Sequence, residues 1–112
     1  MINRGDVVKH IMHLDNRPFN LIKEGIKTIE LRLYDEKRRQ FKERDIIEII
    51  NRNTTEKILV EIEKLYVFDN FKELYNELDE DLIVYNIKEM EEFYSKEEQS
   101  ELGVIGIKIK RI

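Results

Sequence analysis

The residues in this sequence best suited to chemistry are Thr28, Glu30 and Arg32, spaced two apart, with Lys27 immediately before them. On an extended strand, alternate residues project from one face about 6–7 Å apart, so a carboxylate and a guanidinium would stand side by side and orient one ligand through charge-assisted hydrogen bonds. Lys27 adds an amine that could exchange a proton if desolvated. Strict alternation sends Lys27 to the opposite face, whereas a bulge after Gly25 would re-aim it, and the sequence leaves both directions open. Tyr34 continues the cleft-side parity and could stack a base. Just beyond it, Lys37, Arg38 and Arg39 form a basic cluster, diluted by Asp35 and Glu36, that could contact phosphate. A solvated strand face carrying a Glu–Arg pair, followed by a charged loop, would account for the same residues without a ligand.

Other chemistries find less material. His10 and His13 lie three apart on an expected strand, facing opposite sides, so they would not clamp one metal, and the chain has no cysteine. No metal site and no cofactor are expected. No Gly-rich loop is available to cradle phosphates. Tyr66, Phe68, Phe71, Tyr75, Phe93 and Tyr94 fall on strand or helix spacing that reads as core packing.

The elements that must position these residues follow from hydrophobic periodicity. At 112 residues the chain is expected to form a single domain over 1–112, since two cores would leave each half too small. No apolar run is long enough for a spanning helix, and the opening residues lack the pattern of a secretory signal, so a cytoplasmic location is expected and a membrane is not. Net charge is −4, divided as +3 over residues 1–57 and −7 over 58–112, which places any anionic partner on the first half. Strands are expected over Lys9–Leu14, Lys27–Leu33, Ile46–Asn51, Lys57–Phe68 and Val104–Ile112. The second alternates Ile29, Leu31 and Leu33 against the polar triplet. Asn16-Arg17-Pro18 reads as a breaker ahead of a short helix from Phe19 to Glu24, closed by Gly25. A helix capped by Asp69 and a long charged helix from Asn86 to Gln99 complete an α+β fold, whose mixed sheet could close into a small barrel.

Taken together, Met12-x-Leu14, Pro18-Phe19, Ile22, Gly25, Lys27-Thr28, Glu30 and Arg32, with Leu102-Gly103-Val104-x-Gly106-Ile107 near the end, make the chain resemble the ASCH domain family over nearly its whole length. The resemblance implies a PUA-like small mixed β-barrel with inserted helices, and a cleft beside the Lys-bearing strand that binds RNA or a modified nucleoside. Lys27, Thr28, Glu30, Arg32 and Tyr34 would line the cleft, with Lys37, Arg38 and Arg39 on nucleic acid. Some ASCH proteins are enzymes. A branch that deacetylates N4-acetylcytidine is similar at Lys27 but carries Thr where this chain has Glu30; others are ribonucleases, for which Lys27, Glu30 and His13 could transfer protons. A small hydrolase using Lys27 and Glu30 as catalytic groups therefore stays open, as does a protein-interaction module without nucleic acid. If Lys27 is a partly exposed functional group, Lys27→Ala should leave stability nearly unchanged. The family usually places Gly-Asp ahead of the third strand, where this chain has Arg44-Asp45.

Overall fold

The computed structural model describes residues 6–112; the reading of the opening residues as free of a secretory signal rests partly on residues 1–5, outside the described residues. In chain order the elements are β1 (Lys9–Leu14), α1 (Asn16–Lys23), β2 (Ile29–Leu33), a 3-10 turn (Arg38–Gln40), β3 (Ile46–Asn51), β4 (Lys57–Phe68), α2 (Phe71–Glu77), α3 (Glu80–Ile83), α4 (Ile87–Phe93), α5 (Lys96–Leu102) and β5 (Val104–Arg111). No helix among the described residues is long and apolar enough to cross a membrane.

The five strands form one sheet in the order β1-β3-β4-β5-β2. β1 runs parallel to β3, and the other neighbours pair antiparallel. The sheet curls into a half-barrel and stops short of closure, because its edges are β1 and β2 and the two do not pair. Arg32 bridges the seam instead, its Nη2 donating to the His13 carbonyl at 3.2 Å.

Two apolar clusters hold the sheet. Met12, Ile47, Ile49, Val60, Ile62 and Ile107 fill the concave side together with Phe19 and Ile22 of α1. Ile29, Leu31 and Leu33 point the other way, against Phe71, Leu74, Ile83 and Met90 of the helical layer. β2 thus has both faces covered, and its polar face turns inward. Gly106 permits the close approach of that layer, since a Cβ there would lie 2.9 Å from the Leu78 Cδ1.

Local departures from the sequence reading have identifiable causes. α1 begins at Asn16 rather than Phe19. Pro18 sits within the first turn, where its missing N–H would have had no helical partner. β2 starts at Ile29 rather than Lys27. Asn70, not Asp69, caps α2, accepting from the Glu73 N–H. The expected helix over 86–99 is two helices, each opened by a capping box, Asn86 with Glu89 and Ser95 with Glu98. α3 is an additional turn capped by Asp79. Arg44, at φ 77°, holds a left-handed conformation that glycine adopts without strain, which gives the Gly of the family pattern its physical reason. Asp45 beside it is buried and accepts from the backbone N–H groups of Val8 and Lys42 and from His10 Nε2.

Candidate functional site

The open seam between β1 and β2 leads into a cavity of about 420 Å³. How the sequence places Lys27 there begins at the end of α1. Gly25, at φ 79°, donates to the Ile22 carbonyl while Ile26 donates to that of Leu21, the pairing of a Schellman stop. The chain leaves this turn with Lys27 and Thr28 still outside the strand, so alternation does not govern Lys27, and its side chain enters the same cavity as Glu30. The direction that the sequence left open is thereby fixed.

Lys27 is 1% exposed, not partly exposed. Its Nζ donates to the carbonyls of Ile29 at 2.7 Å and Ile83 at 2.8 Å, and lies 3.4 Å from Glu30 Oε1. Three acceptors around one nitrogen match the three N–H donors of an ammonium. Burial pushes its pKa down, opposed by the Glu30 carboxylate. Removing this side chain would take a donor from two buried carbonyls and one of two cations from a buried carboxylate, so the expectation that Lys27→Ala is nearly neutral for stability does not survive.

Glu30, itself buried, is flanked on its other side by Arg32, whose Nε donates to Oε2 at 3.1 Å. Burial works against the Arg32 charge, but Glu30 and its neighbours outweigh it and hold the guanidinium above its ordinary pKa. Lys27, Glu30 and Arg32 form a fixed row on one wall. The helical layer adds Tyr85, Met90, Phe93 and Tyr94 to the lining. Lys27 Nζ lies 5.1 Å from the Tyr85 ring centroid, and the Arg17 guanidinium 4.7 Å from it. Burial raises the Tyr85 pKa, with Arg17 opposing. Val84, at φ 75°, places a strained backbone between Ile83, which receives Lys27, and Tyr85, which covers it. Phe93 is 63% exposed at the edge of the cavity, an apolar ring left in water.

Not all of the residues singled out in the sequence meet here. Thr28 turns away and borders a separate, mostly apolar hollow with Ile22, Val60 and Ile109, while its backbone binds Leu82 and Ile109. Tyr34 packs against the concave core, with the Arg39 guanidinium 4.2 Å from its ring centroid. Lys37 donates to the Ile11 carbonyl, Arg38 pairs with Asp35, and Arg39 donates to the Leu102 carbonyl; none of the three lines the cavity. His13 and Arg32 do line it, and His10 does not. Sequence reasoning did not single out Tyr85, Met90 or Arg52 for the site, and it assigned Phe93 and Tyr94 to the core; Arg17 is one of the basic residues over 17–44 that it expects RNA phosphates to meet. The described residues contain no cluster of three or more side chains suited to a metal ion.

Comparisons with known proteins agree with this architecture. The ASCH domain family model matches residues 12–112. The crystal structure of a hypothetical protein, PH0355, superposes with a TM-score of 0.82 at 35% identity, covering 94% of this chain and 100% of that one. An NMR structure from Pyrococcus furiosus gives a TM-score of 0.74 at 29% identity, covering 94% and 98%. An ASCH protein of Zymomonas mobilis, at 15% identity and a TM-score of 0.71, shares the fold over 96% of this chain and 72% of its own. A search of curated proteins found no match.

Proposed function

The chain belongs to the ASCH domain family, which is generally linked to RNA binding, and on that premise we propose that it binds one nucleoside, free or as part of an RNA, in the cavity at the β1–β2 seam. The observation that carries this reading is the composition of the cavity's lining. A buried carboxylate, Glu30, is held at fixed geometry by Lys27 and Arg32, and it shares the cavity with the rings of Tyr85, Phe93 and Tyr94. A nucleobase has the matching chemistry: two π faces for the aromatic wall and edge N–H groups for an acceptor-only carboxylate. About 420 Å³ suits one nucleoside and is too small for a stacked run of bases. An RNA would engage by turning a single base into the seam.

Calorimetric titration with a panel of natural and modified nucleosides and short single-stranded RNAs tests the reading. Saturable binding is expected for at least one of them, and Glu30→Gln should weaken it about 10-fold or more, as for loss of a hydrogen bond to a charged group. No binding of any of them at millimolar concentration would end the proposal.

A second reading, a small hydrolase acting on an acylated nucleoside or RNA, draws on the 3.4 Å contact between Glu30 and a Lys27 amine whose pKa burial lowers. There Glu30 would transfer the proton, because Lys27 already serves two backbone carbonyls. Turnover of N4-acetylcytidine or RNA that disappears in Glu30→Gln would support it; binding without turnover leaves the first reading alone.

A further inference from the structure

The cavity runs against the charge of the whole molecule. In a chain of net charge −4, its lining holds four cationic side chains, Arg17, Lys27, Arg32 and Arg52, against two carboxylates, Asp15 and Glu30. The four cations are not equivalent. Lys27 and Arg32 form the floor, with side chains only 1% and 18% exposed and committed to Glu30 and to backbone carbonyls. Arg17 and Arg52 stand at the mouth, 61% and 57% exposed. Their partners are also solvent-accessible: Glu89 at 3.5 Å from Arg17 Nη1, and Asp15 at 2.7 Å from Arg52 Nη1, with the His13 carbonyl at 3.5 Å from Arg52 Nη2. Both guanidiniums keep N–H groups to spare.

These two arginines come from different elements, and a set of amide contacts keeps their elements together. Asn51, buried at the end of β3, donates from Nδ2 to Asn16 Oδ1 at 2.9 Å, and the Asn16 N–H donates to Asn53 Oδ1 at 2.9 Å. The Arg52 N–H donates to the Leu14 carbonyl at 2.8 Å. Arg17 follows one end of this lattice, and Arg52 lies between its other two members. Arg17 is further held against the face of Tyr85. Two part-free guanidiniums, on elements tied to each other at the rim of the same cavity, are suited to an anion with several acceptor oxygens on the same ligand.

The geometry points to Arg17 and Arg52 as a phosphate subsite, so that the ligand is a nucleotide, as a monophosphate or within RNA, rather than a free nucleoside. This rests on the nucleoside reading of the cavity and deepens it. It also moves the phosphate contact away from Lys37 and Arg39, whose head groups already bind the Ile11 and Leu102 carbonyls.

The test is an NMR titration of the wild type, Arg17→Gln/Arg52→Gln and Lys37→Gln/Arg39→Gln with nucleosides, their 3′- and 5′-monophosphates, and inorganic phosphate. A monophosphate should bind at least about tenfold more tightly than its nucleoside, and the gain should fall with added salt and vanish in the Arg17/Arg52 variant. Equal affinity for nucleoside and monophosphate overturns the inference, as does a gain that survives in that variant or is lost instead in the Lys37/Arg39 variant. If no nucleoside or nucleotide binds, inorganic phosphate decides it. Shifts of the Arg17 and Arg52 side-chain N–H signals would uphold the anion subsite while the nucleoside reading fails, and their absence would overturn both.

Discussion

Replacing Lys27 by Met keeps the length and apolar volume of the side chain while removing its three donors. The structure lets the cost be worked out. Ile29 and Ile83 lose the side-chain donor to their buried carbonyls, and Glu30 loses one of its two cationic partners. Breaking a buried ion pair from one side costs about 3–5 kcal/mol. Arg32 stays with Glu30, and the apolar Met offsets part of the loss, which leaves about 3 kcal/mol. For a domain of this size that is a large share of a total stability of about 5–15 kcal/mol. Urea unfolding followed by circular dichroism should show the midpoint falling by about 1–3 M. The double variant Lys27→Met/Glu30→Gln should recover about 1 kcal/mol or more relative to additivity, because the buried charge that lost one of its two cations is then gone. The pH dependence has a definite sign. Between the lowered pKa of folded Lys27 and its ordinary value of 10.5, the unfolded chain holds a proton that the folded chain has shed, so this group makes stability rise with pH across that window. Subtracting the Lys27→Met profile from that of the wild type isolates the slope. A loss below about 1 kcal/mol, or a difference that falls with pH in that window, would refute the account of Lys27 as a buried cation joining β2 to α3.

Three further outcomes follow from individual residues. Arg44→Gly should raise stability by about 0.5–1 kcal/mol, seen as a higher melting temperature, because it relieves a left-handed backbone at an exposed side chain. Asn51→Ala should cost about 1–3 kcal/mol in denaturant unfolding, since it empties a buried amide that also accepts from the N–H groups of Asn53 and Thr54. Phe93→Ala should leave the melting temperature nearly unchanged while weakening nucleoside binding by about 5–150-fold in calorimetry, the range for one stacking ring.

Much of the fold could be read from the sequence because its signals are local. Ile29, Leu31 and Leu33 against Glu30 and Arg32 fixed both the strand and the face that meets the cavity, and Gly25 marked the end of α1. The capping boxes at Asn86 and Ser95 were equally legible, and reading them would have divided the long charged helix in two. The site was legible only on its strand side. Lys27 lies in the turn before β2, where strand parity has no force, and its direction depends on the Ile83 carbonyl, 56 residues away. Tyr85 reaches the cavity only because α3 and the strained Val84 carry it there, and no periodicity in the sequence encodes that contact. Arg17 and Arg52 are scattered basic residues until the Asn16, Asn51 and Asn53 amides bring their elements together. The basic cluster at Lys37, Arg38 and Arg39 stood out by density, yet its head groups meet carbonyls and Asp35 within the fold.

Whether the seam between β1 and β2 receives a nucleoside is decided by a crystal structure of the protein with its tightest-binding nucleoside or nucleotide. The base is expected in the cavity, stacked on the ring of Tyr85 or Phe93, with an edge N–H donating to a Glu30 oxygen. A ligand seated anywhere else on the molecule, or one in the cavity making no contact with Glu30, would contradict it.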